Sequence, residues 1–532
     1  MNDFTIRHKV CFPLNIRRYK CYLILNLMFL AEMDTVLMRT AKPFLLMSLN
    51  LSKSQNQSIW LFFVFIILGG VVKLVEILEK IDSWVWGPPL LILVMGTGIW
   101  LTIRLNLLQI LRLPLALKLI GKSPNEGSGD VSSFGALSTA LAATVGTGNI
   151  VGVATAIKLG GPGALFWMLT AAFLGMATKY SEGLLAVKYR TKDENGQYSG
   201  GPMYYIEKGL GRRFKPLAMM FAASGILVAL FGIGTFPQVN AIVSSTEASF
   251  GVPVIVTAII LAVLTAIVTI GGIKSIAQVS TKVVPFMSGL YVLACLGVLI
   301  SFADELPHAI SLVFTSAFST TAATGGFVGA TIMLAMRSGV ARGIFSNESG
   351  LGSAPIAAAA AKTKWPAEQG LVSMTGTFID TIIICNLTGL MLLVTGVWNG
   401  DSEGALMTQQ AFASAFPTFG PGLLTICLIL FAFTTILGWN YYGERCVEYL
   451  IGVKGIKPYR YLFIALVAGG AFIKLDAIWL LADIFNALMA FPNLIALLGL
   501  SGVVVKETRV YMAAVHGKKK GKTPLSTEMN IK

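Results

Sequence analysis

The sequence predicts an all-α integral membrane protein: eleven transmembrane helices, built as two inverted five-helix repeats behind one extra helix. Three observations carry this expectation. Of the 532 residues, 55% are hydrophobic and only 13% charged, about half the charged share of a soluble domain. Basic residues gather in alternate loops between apolar segments. Two strings nearly match, Thr147-Gly148-Asn149-Ile150-Val151-Gly152 and Thr324-Gly325-Gly326-Phe327-Val328-Gly329, with four of six positions identical. Each interrupts a long apolar segment about midway.

The apolar stretches reach the roughly 20 residues that a helix needs to cross hydrocarbon. A backbone facing lipid must satisfy its own polar groups, which leaves helices or a closed barrel. Segments such as Val252–Ile270 are apolar on every face, without the alternation of a barrel strand. Residues 1–80 form an extension with one short apolar segment, Ile59–Val72, nearer a signal-type core than a full span; no function is assigned to it. The first span, Pro89–Ile103, and its loop occupy residues 81–130. The first repeat, residues 131–300, holds spans at Val131–Leu159, Pro162–Lys188, Leu217–Val243, Val252–Ile270 and Val279–Ile300. The second, residues 301–505, holds Leu306–Met336, Val372–Val397, Gly422–Trp439, Tyr461–Ile473 and Ala477–Val505, with Pro492 expected to kink the last. A basic tail, residues 506–532, completes the sequence.

Loop charge orients the spans. Arg104–Asp130, Lys188–Lys215, Arg337–Lys364 and Glu444–Arg460 each carry at least four Lys or Arg, and the tail carries seven. All fall on one side, which the positive-inside rule makes cytoplasmic, with the C-terminus. Ser301–Glu305 and Trp398–Pro421, on the other side, hold acidic residues and no Lys or Arg. The two Thr-Gly helices then cross in opposite senses, as inverted repeats require. The net charge of +15 thus reflects loop topology, and nucleic acid is not an expected partner. The six cysteines include no Cys-x-x-Cys, so neither disulfides nor a cysteine metal site is expected.

Breaks at corresponding places in two halves point to a substrate site in a secondary transporter. Gly146 and Gly148 flank Thr147, and glycine costs about 1 kcal/mol relative to alanine inside a helix. Unwinding there frees amide donors for a carboxylate and carbonyls for a cation; close helix packing is the alternative use of such glycines. Around Thr324, Gly325, Gly326 and Phe327, hydroxyls and carbonyls are expected to take a substrate ammonium, with Phe327 either limiting side-chain size or making lipid or core contact. Thr434 and Thr435 either bond back to their own helix or join freed carbonyls in an oxygen cage for Na⁺. Trp439, one turn on, walls the pocket or marks the membrane interface. Asp380, a carboxylate within a span, is a candidate coupling group that ligates a cation or pairs with an ammonium, with a bond to a neighbouring helix as the alternative. Asn347 and Glu348, in the Gly- and Ser-rich stretch Ser346–Pro355, are inner-gate candidates, with a capping role for Glu348 as the alternative.

Ser346–Pro355, Gly160–Met168 and Thr144–Gly152 resemble the alanine or glycine:cation symporter family, and the resemblance runs from about Asp82 to Val510. It implies a leucine-transporter-type fold and Na⁺-driven uptake of a small neutral amino acid, alanine or glycine, across the plasma (inner) membrane. By that resemblance Thr147 and Gly148, with Asn149, contact the substrate; Thr144 and Val145, with Thr434 and Thr435, ligate Na⁺; and Trp439 borders the substrate. No cofactor is expected beyond the coupling ion. Ser349 and Leu169 depart mildly from the family pattern. The rivals are a proton-coupled transporter of the same fold, in which Asp380 titrates, and then a channel or non-transporting sensor. An enzyme is not expected, since the spans hold no nucleophile–base pair.

Overall fold

The computed structural model describes residues 75–121, 127–318, 332–472 and 477–519. Leu78–Lys532 form one unit, and it holds the helical bundle. Helices occupy the described parts of every predicted span. In chain order the principal helices are α1 (Pro88–Arg104), α2 (Ser133–Thr144), α3 (Val153–Gly160), α4 (Gly163–Lys188), α5 (Lys215–Phe231), α6 (Phe236–Phe250), α7 (Val254–Thr269) and α8 (Gly272–Ser301). Next come α9 (Leu306–Ala317), α10 (Ile332–Asn347), α11 (Ala354–Ala358), α12 (Pro366–Thr377), α13 (Asn386–Val394), α14 (Gly404–Ala415), α15 (Gly420–Ile451), α16 (Ile456–Gly470) and α17 (Ala477–Lys519). A π-helical turn, Phe378–Cys385, joins α12 to α13. Among the described residues, six helices are long and apolar enough to cross a membrane, and the bent pair Ser133–Thr144 with Gly148–Gly160 makes a seventh if counted as one span.

Two features differ from expectation. The span expected at Leu217–Val243 lies within one candidate span, Arg212–Phe250, which is interrupted between α5 and α6 because Gly232 and Gly234 loosen the chain and Pro237 restarts it where a missing N–H costs nothing. A Cβ at Gly234 would stand 2.7 Å from Trp439 Cβ, so the break also lets the chain pass close to α15. The second difference is a set of helices lying between predicted spans: Leu108–Leu111, Leu113–Gly121, Pro202–Tyr205, α11 and α14.

Position in the bundle follows side-chain size. Exposed Ile255, Ile259 and Ile267 on α7, and Phe286, Leu293 and Ile300 on α8, present apolar surface to the outside. By contrast α4 and α15 are buried along most of their length. Glycines on α4 and its neighbours permit close approach. A Cβ at Gly183 would meet Ser373 Cβ at 2.7 Å, and one at Gly370 would meet the Tyr180 carbonyl oxygen at 2.7 Å. The first half-helix α2 starts with Ser132, whose hydroxyl accepts the Gly135 N–H at 3.0 Å, satisfying one orphan donor of its first turn.

A hairpin, β1 (Thr191–Lys192) and β2 (Tyr198–Ser199), closes the end of the bundle where the basic loops lie. Asp193 caps its turn by accepting from Asn195 and Gln197 N–H, both at 2.8 Å. Its other oxygen pairs with Arg445 at 3.2 Å. Arg445, only 1% exposed, also meets Glu444 and Glu448 at 2.6 Å each, and Arg460 shares Glu444 at 2.6 Å. Asp130 accepts the Tyr198 N–H at 2.7 Å; burial raises its carboxyl above the usual range, against the pull of that N–H and of Arg445. Arg190 donates to the Ala359, Ala361 and Ser128 carbonyls at 2.7–2.8 Å. Removing one partner of a buried ion network strands the others, at about 3–5 kcal/mol. Arg445→Met is therefore expected to lower the melting temperature of the detergent-purified protein sharply. The loss should exceed that of Arg342→Met, whose side chain is more exposed in its pair with Asp483.

Candidate functional site

The break in the first Thr-Gly helix is local and complete. α2 stops at Thr144, and Val145 is extended, with φ −77° and ψ +93°. The π-turn Gly148–Gly152 then restarts the helix into α3, and the two pieces meet at 52°. Side chains take the amides that a continuous helix would have aimed at Ala142 and Ala143. Gly146 N–H donates to Asn149 Oδ1 at 2.8 Å, and Thr147 N–H to Gln238 Oε1 at 3.4 Å. Gln238 Nε2 in turn donates to Thr147 Oγ1 at 3.0 Å and to the Ile233 carbonyl at 3.1 Å. The carbonyl end of α2 thereby loses its intrahelical partners.

α15 lies directly against this carbonyl end. A Cβ on Gly146 would overlap Thr435 Oγ1, and one on Gly438 would meet Ala143 N at 2.8 Å. Thr434 and Thr435 both bond back to the Phe431 carbonyl at 3.0 Å, the first of the two uses their spacing allowed. Such a bond leaves each hydroxyl its acceptor lone pairs, so the Thr435 oxygen beside the freed carbonyls remains a candidate ligand. Thr144 Oγ1 lies 3.4 Å from the Leu141 carbonyl. Trp439 is fully buried and meets Tyr442 edge-on at 5.4 Å; its burial excludes the interface role.

Behind the break stands Asp380, fully buried. Its Oδ1 accepts from Asn149 Nδ2 at 2.8 Å; its Oδ2 accepts from Ser346 Oγ at 2.9 Å and Thr381 Oγ1 at 2.7 Å. Asn149 therefore links the unwound Gly146 amide to the carboxylate, and Cys385 Sγ lies 3.3 Å from both Asn149 and Ser346. A Cβ at Gly148 would stand 3.1 Å from Ser346 Cα, so α10 ends on the broken helix. Asn347 bonds Thr381 Oγ1 at 3.0 Å through its side chain, and its carbonyl accepts from Lys179 Nζ at 2.8 Å. Glu348 has a left-handed backbone, φ 56°, and accepts from Ser353 Oγ at 2.6 Å.

Thr144, Val145, Thr147, Gly148, Asn149, Asp380, Asn347, Glu348, Thr434, Thr435 and Trp439 are thus joined through a few direct contacts. Thr324, Gly325, Gly326 and Phe327 lie outside the described residues. Asn347 and Glu348 are buried among these groups. The residues left out of the sequence expectation are Gln238, Lys179, Ser346, Thr381 and Cys385. Lys179 carried a signal, an ionisable group inside a span, and Gln238 a weaker one. Ser346 and Thr381 carried none, since a membrane hydroxyl commonly bonds its own helix. Chemically the arrangement offers hydroxyls, carbonyls and the carboxylates of Asp380 and Glu348, the donor set of a hard monovalent cation, beside amides and an amide side chain suited to a zwitterion.

A family model described as the sodium:alanine symporter family matches residues 71–527. An uncharacterized transporter of Haemophilus influenzae is 59% identical over 438 residues, covering 82% of this chain and 96% of that protein. The sodium/alanine symporter AgcS of Methanococcus maripaludis is 51% identical over 445 residues, covering 82% and 97%. Among solved structures, MhsT in complex with L-phenylalanine superposes with a TM-score of 0.51 at 12% identity, over 72% of this chain and 99% of that one. That likeness concerns the fold, which is of the leucine-transporter type.

Proposed function

The chain belongs to the sodium:alanine symporter family, whose members are multi-pass membrane transporters and not enzymes, and we propose that it imports a small neutral amino acid, alanine and/or glycine, together with Na⁺. The observation that carries this reading is the helix break at Val145–Gly148, with Thr435 on its carbonyl side and Asn149–Asp380 behind it. The cation takes the Thr144 and Val145 carbonyls with the Thr434 and Thr435 hydroxyls. The substrate carboxylate takes the amides around Thr147 and Gly148, bordered by Gln238 and Trp439. Both ligands stabilise the same unwound segment, so each raises the affinity of the other by a shared coupling energy. The basic loops support a cytoplasmic C-terminus in the plasma (inner) membrane.

Radiolabelled alanine and glycine uptake into proteoliposomes tests this directly. Replacing external Na⁺ by choline is expected to cut uptake at least about tenfold, the effect of a coupling energy above roughly 1.4 kcal/mol. Uptake that persists in choline and follows a pH gradient would instead favour proton coupling. Passive flux without saturation would favour a channel, and ligand binding without flux a sensor.

A further inference from the structure

One buried group has no part in that transport scheme. Lys179 is 2% exposed; its ammonium donates to the carbonyl of Asn347, the residue before Glu348, at 2.8 Å, Glu182 follows it three residues on along α4, and Asn347 leads through Thr381 to Asp380. Each of the three carboxylates is fully buried. Asp380 is held by three side-chain donors. The other two are less well satisfied. Glu182 Oε1 accepts from Gly350 N–H and Asn493 Nδ2, and Glu348 Oε2 accepts from Ser353. Glu182 Oε2 and Glu348 Oε1 close no hydrogen bond, although the Gly352 amide and the Trp439 indole N–H exert a weaker pull on the two carboxylates. If all three carboxyls are ionised they outnumber the single ammonium, and an unmatched charge is costly in such a medium.

The cluster is wired to the break. Lys179 holds the Asn347 carbonyl; Asn347 holds Thr381; Thr381 and Asn149 hold Asp380; and Asn149 holds Gly146 N–H, beside the freed carbonyls. Lys179 and Thr144 also line one cleft, with Leu137 and Leu141 on α2 and Ser373 and Gly376 on α12 and its edge.

We propose that Lys179 is a tethered counter-cation: it partly neutralises the Glu182–Glu348–Asp380 cluster, and the transported monovalent cation completes the neutralisation. Lys179 thus weakens the hold on the ion, while Glu348 strengthens it. This rests on the Na⁺-coupled reading of the helix break. It makes Lys179 and Glu348 residues that act on the ion through the field and not as ligands.

The test is a NaCl titration, balanced with choline chloride, of the purified full-length protein. Two readouts are taken: Na⁺-induced thermal stabilisation in detergent, and the Na⁺ half-saturation of alanine uptake in proteoliposomes. A unit charge roughly 10 Å away, at an effective dielectric near 20, shifts cation affinity on the order of tenfold. Lys179→Met is expected to lower the half-saturating Na⁺ by about that factor, and Glu348→Gln to raise it equally. Lys179→Arg, which keeps the charge, stays within about twofold of wild type. A merely structural role would move both neutral variants the same way. Shifts of equal sign, or no shift in Glu348→Gln, overturn the proposal. If Lys179→Met fails to fold, Glu348→Gln and Lys179→Arg decide the matter by the same criteria. A wild type that responds to Na⁺ beside unshifted variants sinks this proposal alone; a wild type indifferent to Na⁺ in both readouts sinks the Na⁺-coupled reading, and this with it.

Discussion

Gly148→Leu is expected to abolish amino-acid uptake in a protein that still inserts in the membrane. A Cβ at this position already stands 3.1 Å from Ser346 Cα, 3.3 Å from Ser346 Cβ and 3.4 Å from Phe345 Cδ1. Backbone lies on the far side, so the neighbour yields only by moving the end of α10. Four side-chain carbons then have no space between the broken helix and that end. Overpacking of this kind costs about 1–3 kcal/mol in stability, which a large bundle survives. Function is more sensitive, because Ser346 holds Asp380, and displacing a binding group by an ångström costs on the order of 100-fold. Gly148→Ala, with its single tight methyl, is expected to fall between leucine and wild type. Uptake per inserted molecule, with insertion measured by surface labelling, decides it: wild-type alanine uptake by well-inserted Gly148→Leu removes the site from this helix.

Asp380→Asn is expected to lower uptake by about 100-fold with only a modest loss of thermal stability. The two side chains are the same size, so packing is kept. Three donors converge on the carboxylate: Asn149 Nδ2, Ser346 Oγ and Thr381 Oγ1. An amide offers one oxygen and turns its NH₂ toward a donor. That leaves a buried group unmatched, at about 1–3 kcal/mol, and the cheapest relief is rotation of Asn149. Since Asn149 also holds Gly146 N–H, its rotation unsettles the carbonyl end on which cation binding depends. The half-saturating Na⁺ concentration should therefore rise together with the loss of rate. If Asp380→Asn transports normally at saturating and at low Na⁺, the carboxylate is a structural tie between helices and nothing more.

The readable parts of the site were those with a local cost. Two glycines around Thr147 in an otherwise apolar helix are unfavourable, and the chain unwinds at that point. Thr435 and Trp439 share a helix face that a 3.6-residue period displays, and the structure sets Thr435 against Gly146 at the end of α2. The interruption between α5 and α6 was missed because the segment is apolar enough to pass for one span; Gly232, Gly234 and Pro237 permit it locally, and the closeness of Trp439 to Gly234 is a tertiary reason for it. Lys179 was missed for another reason. A lone lysine in a span announces function, but the sequence does not say which carboxylates it faces.

Composition, helical period and loop charge were enough to establish a membrane bundle of inverted halves, because each is a short-range property: a residue's transfer cost or a helix's face depends on neighbours a few positions away. The pairing of Asn149 with Asp380, 231 residues apart, belonged to the tertiary structure alone, as did the chain from Lys179 through Asn347 and Thr381 to Asp380. Such partners are selected when small residues let particular helices approach closely, and once the polar groups are buried they must find one another or remain unsatisfied.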